Sequence, residues 1–196
     1  FFAYFKDAEG DQRLANLAQF GPVVLAQALD YDKNRLWPVR IGHLHQTSFP
    51  APAIAAQATG YLGNHELLTQ HGFAGNIGYL PDQDGVLRQL PMVSHFEGKY
   101  YPTLSLALFE CCGSDLNKSA VMSRAISDVD RDGFSRINYS KQLDAYLVIP
   151  ASNILKRTLP TSALRDKLII IGSSSLSLSD RVTTPLYYSA SGFLVH

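Results

Sequence analysis

The stretch Leu168-Ile169-Ile170-Ile171-Gly172 is the clearest secondary-structure signal in the sequence. It is a short apolar run, rich in β-branched residues, that ends at a glycine, and this pattern is typical of a strand buried on both faces. A strand of this kind lies at the centre of a sheet with helices on its two sides. The run therefore predicts an α/β domain built on a central sheet.

A second strand is predicted near the start of the chain. Val23-Val24-Leu25-Ala26 is again short and apolar, and a helix with Asp11 as its N-cap precedes it and ends at Gly21-Pro22. Three residues of this helix are spaced to face inward: Leu14, Leu17 and Ala18. Phe1-Phe2-Ala3-Tyr4-Phe5 is β-prone and comes before the helix. The order strand, helix, strand favours parallel pairing.

Turns rich in Asp and Gly divide the middle of the chain. Residues 81–85 separate predicted strands at 76–80 and 86–96, and Pro91 makes the second of these an edge or bulged strand. Glu97-Gly98 forms a further turn. Residues 130–133 separate predicted strands at 125–127 and 134–139.

Helices are predicted at three more places. One covers 53–58, one starts after Pro102 and ends at Gly113, and one follows Pro150. Together the elements predict one α/β domain over residues 1–196. Its architecture would be a central mixed, partly parallel β-sheet flanked by helices, with additional β-hairpins.

The composition excludes several functional classes. The 196 residues are 46 % hydrophobic and 17 % charged, which is typical of a globular domain. Lys plus Arg (17) equals Asp plus Glu (17), so the basic surface expected of a nucleic-acid-binding protein is missing. The longest uncharged apolar runs are far shorter than the roughly 20 residues that cross a bilayer.

The two cysteines are neighbours, Cys111 and Cys112. Disulfides usually join residues whose Cα atoms are about 5.5 Å apart, so we expect this pair not to bridge and stability not to rest on disulfides.

Two patterns resemble metal sites. Asp128, Asp130, Asp132 and Gly133 match the opening of an EF-hand calcium loop, but Tyr139 replaces its last ligand, so we interpret them as a β-turn. His43 and His45 have the i, i+2 spacing that a periplasmic zinc or copper module could use with His65 or His71. Two histidines in a polar loop are the simpler interpretation, and we expect no metal and no cofactor.

The segment from Gly172 to Asp180 suggests an alternative function. Ser173, Ser174 and Ser175 directly follow the predicted central strand, where α/β proteins collect their ligands. A small α/β hydrolase could use this loop with a histidine as base, although the sequence lacks the Gly-x-Ser-x-Gly motif that marks many such enzymes.

The order of five segments resembles the type-two CHASE domain, a sensory extracellular domain associated with cyclases and histidine kinases. These segments are Pro81-Asp82-Gln83-Asp84-Gly85-Val86-Leu87-Arg88-Gln89-Leu90-Pro91, Tyr101-Pro102-Thr103-Leu104, Ile137-Asn138-Tyr139, Lys167-Leu168-Ile169-Ile170-Ile171-Gly172 and Asp180-Arg181-Val182-Thr183-Thr184-Pro185. The family's early β-α piece has no counterpart here. The resemblance therefore implies a fragment that lacks this piece and the flanking transmembrane helices, and another chain could supply the missing piece.

The resemblance also implies a function. The domain would be the extracytoplasmic input domain of a bacterial receptor in the cytoplasmic membrane. The cytoplasmic output domain would be a histidine kinase, an adenylate, guanylate or diguanylate cyclase, or a Ser/Thr kinase. The domain itself would have no catalytic residues.

The implied partner is a small-molecule ligand or stress signal of unknown identity, not a nucleic acid, and receptor logic favours a homodimer. Five polar residues are the candidates for ligand binding: Arg88, Asn138, Ser173, Asp180 and Thr184. For each of them a role in turn and loop hydrogen bonding is the alternative.

Overall fold

The computed structural model describes residues 8–45, 47–70, 72–113, 118–173 and 181–196. The chain divides into two compact units, one of Phe1–Ile137 with His196 and one of Asn138–Val195. The single domain over residues 1–196 stays a prediction. Within the described ranges, the helices are too short or too polar to span a bilayer.

The first unit contains most of the regular secondary structure. Its helices are α1 (Ala8–Phe20), α2 (Glu66–Thr69), α3 (Leu104–Cys112) and α4 (Lys118–Ser127). Its strands are β1 (Val24–Asp30), β2 (Arg40–Ile41), β3 (Ala56–Gln57), β4 (Gly60–Leu62), β5 (Phe73–Asn76), β6 (Gln89–Pro91), β7 (Val93–Phe96), β8 (Lys99–Pro102) and β9 (Phe134–Arg136).

The largest sheet is mixed, with the strand order β2-β4-β1-β5. β1 is parallel to β5 and antiparallel to β4, and β2 is parallel to β4. A three-stranded sheet, β3-β7-β8, and the antiparallel pair β6-β9 complete the unit. The predicted fold class, α/β with a mixed and partly parallel sheet and added hairpins, is confirmed.

The turn at Glu97-Gly98 forms as predicted. Both residues have positive φ, 46° and 77°. Two successive positive φ angles match the twist of a two-residue hairpin, and this turn joins β7 to β8. Pro91 is the last residue of β6, which has β9 as its one partner among the described strands. Proline has no N–H to donate to a second neighbouring strand, so an edge strand is where it fits.

The predicted hairpin between 76–80 and 86–96 is wrong. β5 ends at Asn76 because the Asn76 side chain, rather than a strand, accepts the N–H of Gly78. β6 pairs with β9 instead, with Leu90 opposite Ser135.

The helix predicted to end at Gly21-Pro22 is confirmed as α1, which ends at Phe20. Its predicted N-cap is wrong, because α1 begins at Ala8 and Asp11 lies in its first turn. Ala18 is buried as predicted, whereas Leu17 is 62 % exposed. Two further element predictions are wrong. Residues 53–58 contain β3 rather than a helix, because Ala56 pairs with Ser94 of β7. Residues 125–127 belong to α4 rather than to a strand.

Two apolar clusters form the core of the first unit. The larger is built from side chains of five strands and of Tyr31, which directly follows β1: Leu29, Tyr31, Ala56, Phe96, Tyr101 and Phe134. The smaller lies under α3 and contains Phe49, Val93 and Leu106. Both contain aromatic rings, whose large apolar area makes burial strongly favourable.

The second unit has little regular structure in its described part. It contains α5 (Ala151–Leu155), which follows Pro150 as predicted, and the antiparallel pair β10 (Arg181–Val182) and β11 (Ala190–Ser191). Single 3-10 turns lie at Leu143–Ala145, Thr161–Ala163 and Gly192–Val195.

The predicted central strand at 168–172 is wrong. This stretch is neither helix nor strand, and Leu168, Ile169 and Ile171 are 53, 49 and 93 % exposed. A strand needs a neighbour to accept its backbone hydrogen bonds, and no strand of the described part of the unit pairs with this stretch. The strand predicted at Phe1–Phe5, and with it the predicted parallel pairing to 23–26, lies outside the described residues.

We expect Ile171→Asp to change the free energy of unfolding by less than about 0.5 kcal/mol, because an exposed side chain loses almost no buried contact. Urea unfolding of the two proteins measures the difference. A loss of about 3 kcal/mol or more would mean that the stretch is buried, as in a central strand.

Candidate functional site

Two Asp-Gly turns lie at the ends of the β6-β9 pair and define a cleft. In the first, the N–H of Gly85 donates to the carbonyl of Asp82 at 2.8 Å. In the second, the N–H of Gly133 donates to the carbonyl of Asp130 at 3.1 Å. The N–H of Ile137 donates to the carbonyl of Arg88 at 2.9 Å, which holds the two turn-bearing segments together beyond the strand ends.

Arg88 is held by the first turn. Its Nη1 donates to Asp82 Oδ2 at 2.7 Å and to Asp84 Oδ1 at 2.9 Å, and its Nη2 donates to Asp84 Oδ2 at 2.8 Å. The contact with Asp84 is bidentate, the geometry in which a guanidinium binds a carboxylate most strongly. One third of the Arg88 side chain is exposed, so the group lies at the cleft wall rather than in the core.

These contacts shift the acidity of both partners. Hydrogen bonds from Arg88, and then the N–H of Val86, lower the pKa of Asp84 to about 2. The same contacts with Asp84 and Asp82 raise the pKa of Arg88 above its ordinary value. Asp84 and Arg88 therefore both stay charged through the physiological pH range.

We expect the stability of the protein to fall as the pH drops from about 4 to about 2. In this window the unfolded chain, where Asp84 has its ordinary pKa of 3.8, binds a proton more readily than the folded protein. Arg88→Gln should raise the pKa of Asp84 and flatten this part of the stability curve. NMR titration of the Asp84 carboxyl and melting temperatures between pH 5 and pH 2 measure both effects.

Arg124→Gln is the matched control, because Arg124 is exposed on α4 and its side chain touches neither aspartate of the turn. The explanation would be wrong if Arg88→Gln left the pKa of Asp84 near 2.

Asp130 organises the second turn. Its Oδ1 accepts the N–H groups of Asp132 and Phe134, both at 2.9 Å, and its own N–H donates to the carbonyl of Phe134. The interpretation of Asp128–Gly133 as a turn is confirmed. The Asp130 carboxylate therefore accepts backbone N–H groups of its own turn, as is usual for an aspartate at a turn.

The cleft between the turns has a volume of about 400 Å³. It is lined by three carboxylates, two guanidinium groups and the residues between them: Asp82, Arg88, Gln89, Asp128, Val129, Asp130, Phe134, Ser135 and Arg136. Among the described residues, the side chains of Asp128 and Arg136 have no hydrogen-bond or ion-pair partner. The cleft therefore presents one negative and one positive group that a ligand could pair with.

Of the five predicted ligand-binding residues, Arg88 alone lines this cleft. Asn138, Ser173 and Thr184 belong to the second unit, and Asp180 lies outside the described residues. Asn138 is exposed and Ser173 is half-buried. Thr184 is 6 % exposed, and its hydroxyl and N–H both bond to the backbone of Tyr187, so it stabilises its own turn.

The histidines have structural surroundings where the structure describes them. His65 Nδ1 accepts the N–H of Leu67 and caps α2. The backbone of His43 pairs with Asn64, and the N–H of His45 donates to Gln27 Oε1. In the described part of the chain, no three His, Cys, Asp or Glu side chains group as a metal site would require, and His71 lies outside it.

Sequence reasoning missed Asp128 and Arg136 as members of the cleft. Their positions depend on the pairing of β6 with β9, which the predicted hairpins did not include. The repeated Asp-x-Asp-Gly at 82–85 and 130–133 was the available signal, because each copy directly precedes a segment that forms one strand of the pair.

One family model, described as the CHASE2 domain, matches residues 2–196. No curated protein and no solved structure matches the chain. CHASE2 domains are extracellular sensory domains of receptors and are not catalytic. Because the match covers essentially the whole chain, this protein belongs to the CHASE2 family of sensory domains.

Proposed function

We propose that this domain is the extracytoplasmic signal-input domain of a bacterial transmembrane receptor. The observation that carries the proposal is the CHASE2 match over residues 2–196. The balanced charge of the chain also fits a domain that binds neither nucleic acid nor an anionic lipid surface.

The receptor's cytoplasmic part is, in this proposal, a histidine kinase, an adenylate, guanylate or diguanylate cyclase, or a Ser/Thr kinase. The receptor is anchored in the cytoplasmic membrane and works as a homodimer. The input domain supplies no catalytic group, so its effect on the output is conformational.

A ligand changes the output only if it binds two arrangements of the receptor with different affinity. A shift from 1:99 to 99:1 requires a difference of about 10⁴-fold between the two arrangements. A modest response, such as a tenfold change in the ratio, requires a difference of about tenfold, which one or two polar contacts can supply.

The reception site in this proposal is the cleft between the two Asp-Gly turns. Arg88 is already paired with Asp82 and Asp84, so its role is to hold the cleft wall in place. Asp128 and Arg136 have no side-chain partner among the described residues and remain available to a ligand. An unpaired carboxylate and an unpaired guanidinium that line one cleft are complementary to a small zwitterion, such as a free amino acid.

The test is a thermal-shift panel of the free amino acids, followed by calorimetry with any that bind. A ligand at 100 times its Kd stabilises the folded protein by about 2.7 kcal/mol, which gives an increase of several degrees in melting temperature. Arg136→Gln and Asp128→Asn should each weaken binding at least tenfold, while Arg124→Gln on α4 should leave it unchanged. A panel without any shift, or a shift that both variants keep, would contradict this site.

The same compound should change the kinase or cyclase output of the full-length receptor in membrane vesicles. Arg136→Gln should remove this response and Arg124→Gln should keep it. A compound that binds the cleft and leaves the output unchanged would contradict the sensor function rather than the binding site.

A further inference from the structure

Helix α3 ends in two adjacent cysteines that are joined to each other. Cys111 and Cys112 form a disulfide in the structure, so the expectation that neighbouring cysteines would not bridge is wrong. The pair lies in the last turn of the helix, and the next residue, Gly113, is already extended, with φ −69° and ψ 155°.

This bond contributes little to the stability of the fold. A disulfide stabilises mainly by restricting the unfolded chain, and the effect grows with the number of residues in the closed loop. Here the loop contains only the two bonded residues. A structural role is therefore a poor explanation for the pair.

The adjacency also makes the bond easy to reduce. Neighbouring residues have Cα atoms about 3.8 Å apart, whereas ordinary disulfides span 4.4–6.8 Å between Cα atoms. Disulfides that depart from ordinary geometry, and those that are exposed, are the ones that react with thiols. Both cysteines are half-buried rather than sealed in the core, so a small thiol can reach them.

The site is connected to the central sheet of the first unit. Cys112 Sγ lies 3.7 Å from the carbonyl oxygen of Pro22, which is two residues before the start of β1. α3 itself packs against β1 and β5. The pair therefore lies at the end of a helix that packs on two strands of the largest sheet.

We propose that Cys111 and Cys112 form a redox-active site that exchanges electrons with low-molecular-weight thiols and disulfides. In the reduction, a thiolate attacks one sulfur, forms a mixed disulfide with it and releases the other cysteine as a thiolate, which takes up a proton. A second thiolate attacks the mixed disulfide and releases the second cysteine. Two small thiols are oxidised to one small disulfide, and the protein disulfide is reduced to two thiols.

The test counts thiols on the folded domain by maleimide labelling and mass spectrometry. We expect no label after incubation with oxidised glutathione and two labels after incubation with reduced glutathione. Both incubations are done without denaturant, and the change should be reversible. Phenylarsine oxide, which binds paired thiols, should bind the reduced form in a 1:1 ratio and block its reoxidation.

The variants Cys111→Ser and Cys112→Ser are the matched controls. Each should carry one label after removal of any mixed disulfide and should bind phenylarsine oxide at least tenfold more weakly. Two free thiols in oxidised glutathione would overturn the proposal, and so would a disulfide that reduced glutathione opens only after unfolding. The thiol count does not depend on the proposed sensor function or on the cleft.

Discussion

Asn76→Ala should destabilise the domain by about 4 kcal/mol. Asn76 is completely buried, and its Oδ1 accepts the N–H groups of Leu29 and Gly78 at 2.9 and 2.7 Å. Its Nδ2 donates to Tyr31 Oη at 2.6 Å and to Ser94 Oγ at 3.3 Å. Alanine leaves two buried N–H groups without an acceptor, and each such group costs about 1–3 kcal/mol.

The measurement is urea unfolding of both proteins, and Asn34→Ala is the matched control. Asn34 is exposed, and the structure gives it a backbone contact with Asp32 rather than a buried side-chain network. We expect a change below about 0.5 kcal/mol for the control. A loss below about 1 kcal/mol for Asn76→Ala would show that water or other groups satisfy the network.

Gly133→Ala should also cost about 4 kcal/mol, for a different reason. Gly133 has a φ of +88°, which is unfavourable for a residue with a Cβ atom by roughly 1–2 kcal/mol. A Cβ there would lie 2.7 Å from the carbonyl carbon of Ala55 and would overlap the backbone nitrogen of Ala56. Backbone atoms cannot move aside as a side chain can, so packing strain adds to the conformational cost.

Gly85→Ala separates the two contributions. Gly85 occupies the equivalent place in the first Asp-Gly turn, with a φ of +78°, but nothing lies within 4 Å of a Cβ built on it. We expect a cost of about 1 kcal/mol, from the backbone conformation alone. Equal losses at both positions would mean that the close approach of Ala55 and Ala56 does not determine the cost at Gly133.

Local chemistry explains which elements could be predicted from the sequence. The turns at 81–85, 97–98 and 130–133 depend on the conformational preferences of Asp and Gly within a few residues. The ends of two helices are equally local: Gly113, a poor helix former, follows α3, and Pro150, which has no N–H to donate, precedes α5.

The errors concern elements whose state depends on distant partners. The run at 168–172 has the composition of a central strand, but composition cannot supply a neighbouring strand, and the described part of the second unit provides none for it. A short helix is predicted at 53–58, yet Ala56 and Gln57 pair with β7 instead. Tertiary pairing outweighs local preference at both places.

The candidate site shows the same division. Arg88 is contained in the motif that resembles the family, and its partners Asp82 and Asp84 lie within six residues of it. Asp128 and Arg136 reach the cleft only because β6 and β9 pair. The sequence therefore indicated one wall of the cleft and not the other.

The most direct test of the proposed function asks which side of the membrane the domain occupies in the full-length receptor. Leu36 is 88 % exposed, so Leu36→Cys, in a receptor with Cys111→Ser and Cys112→Ser, gives an accessible thiol on the surface of the first unit. The receptor with the two serine substitutions alone is the control for other thiols.

The measurement is labelling of spheroplasts with a membrane-impermeant maleimide, before and after lysis. The proposed input domain predicts equal labelling of the Leu36→Cys receptor in intact and lysed spheroplasts. Labelling that occurs only after lysis would place the domain in the cytoplasm and would contradict an extracytoplasmic sensor.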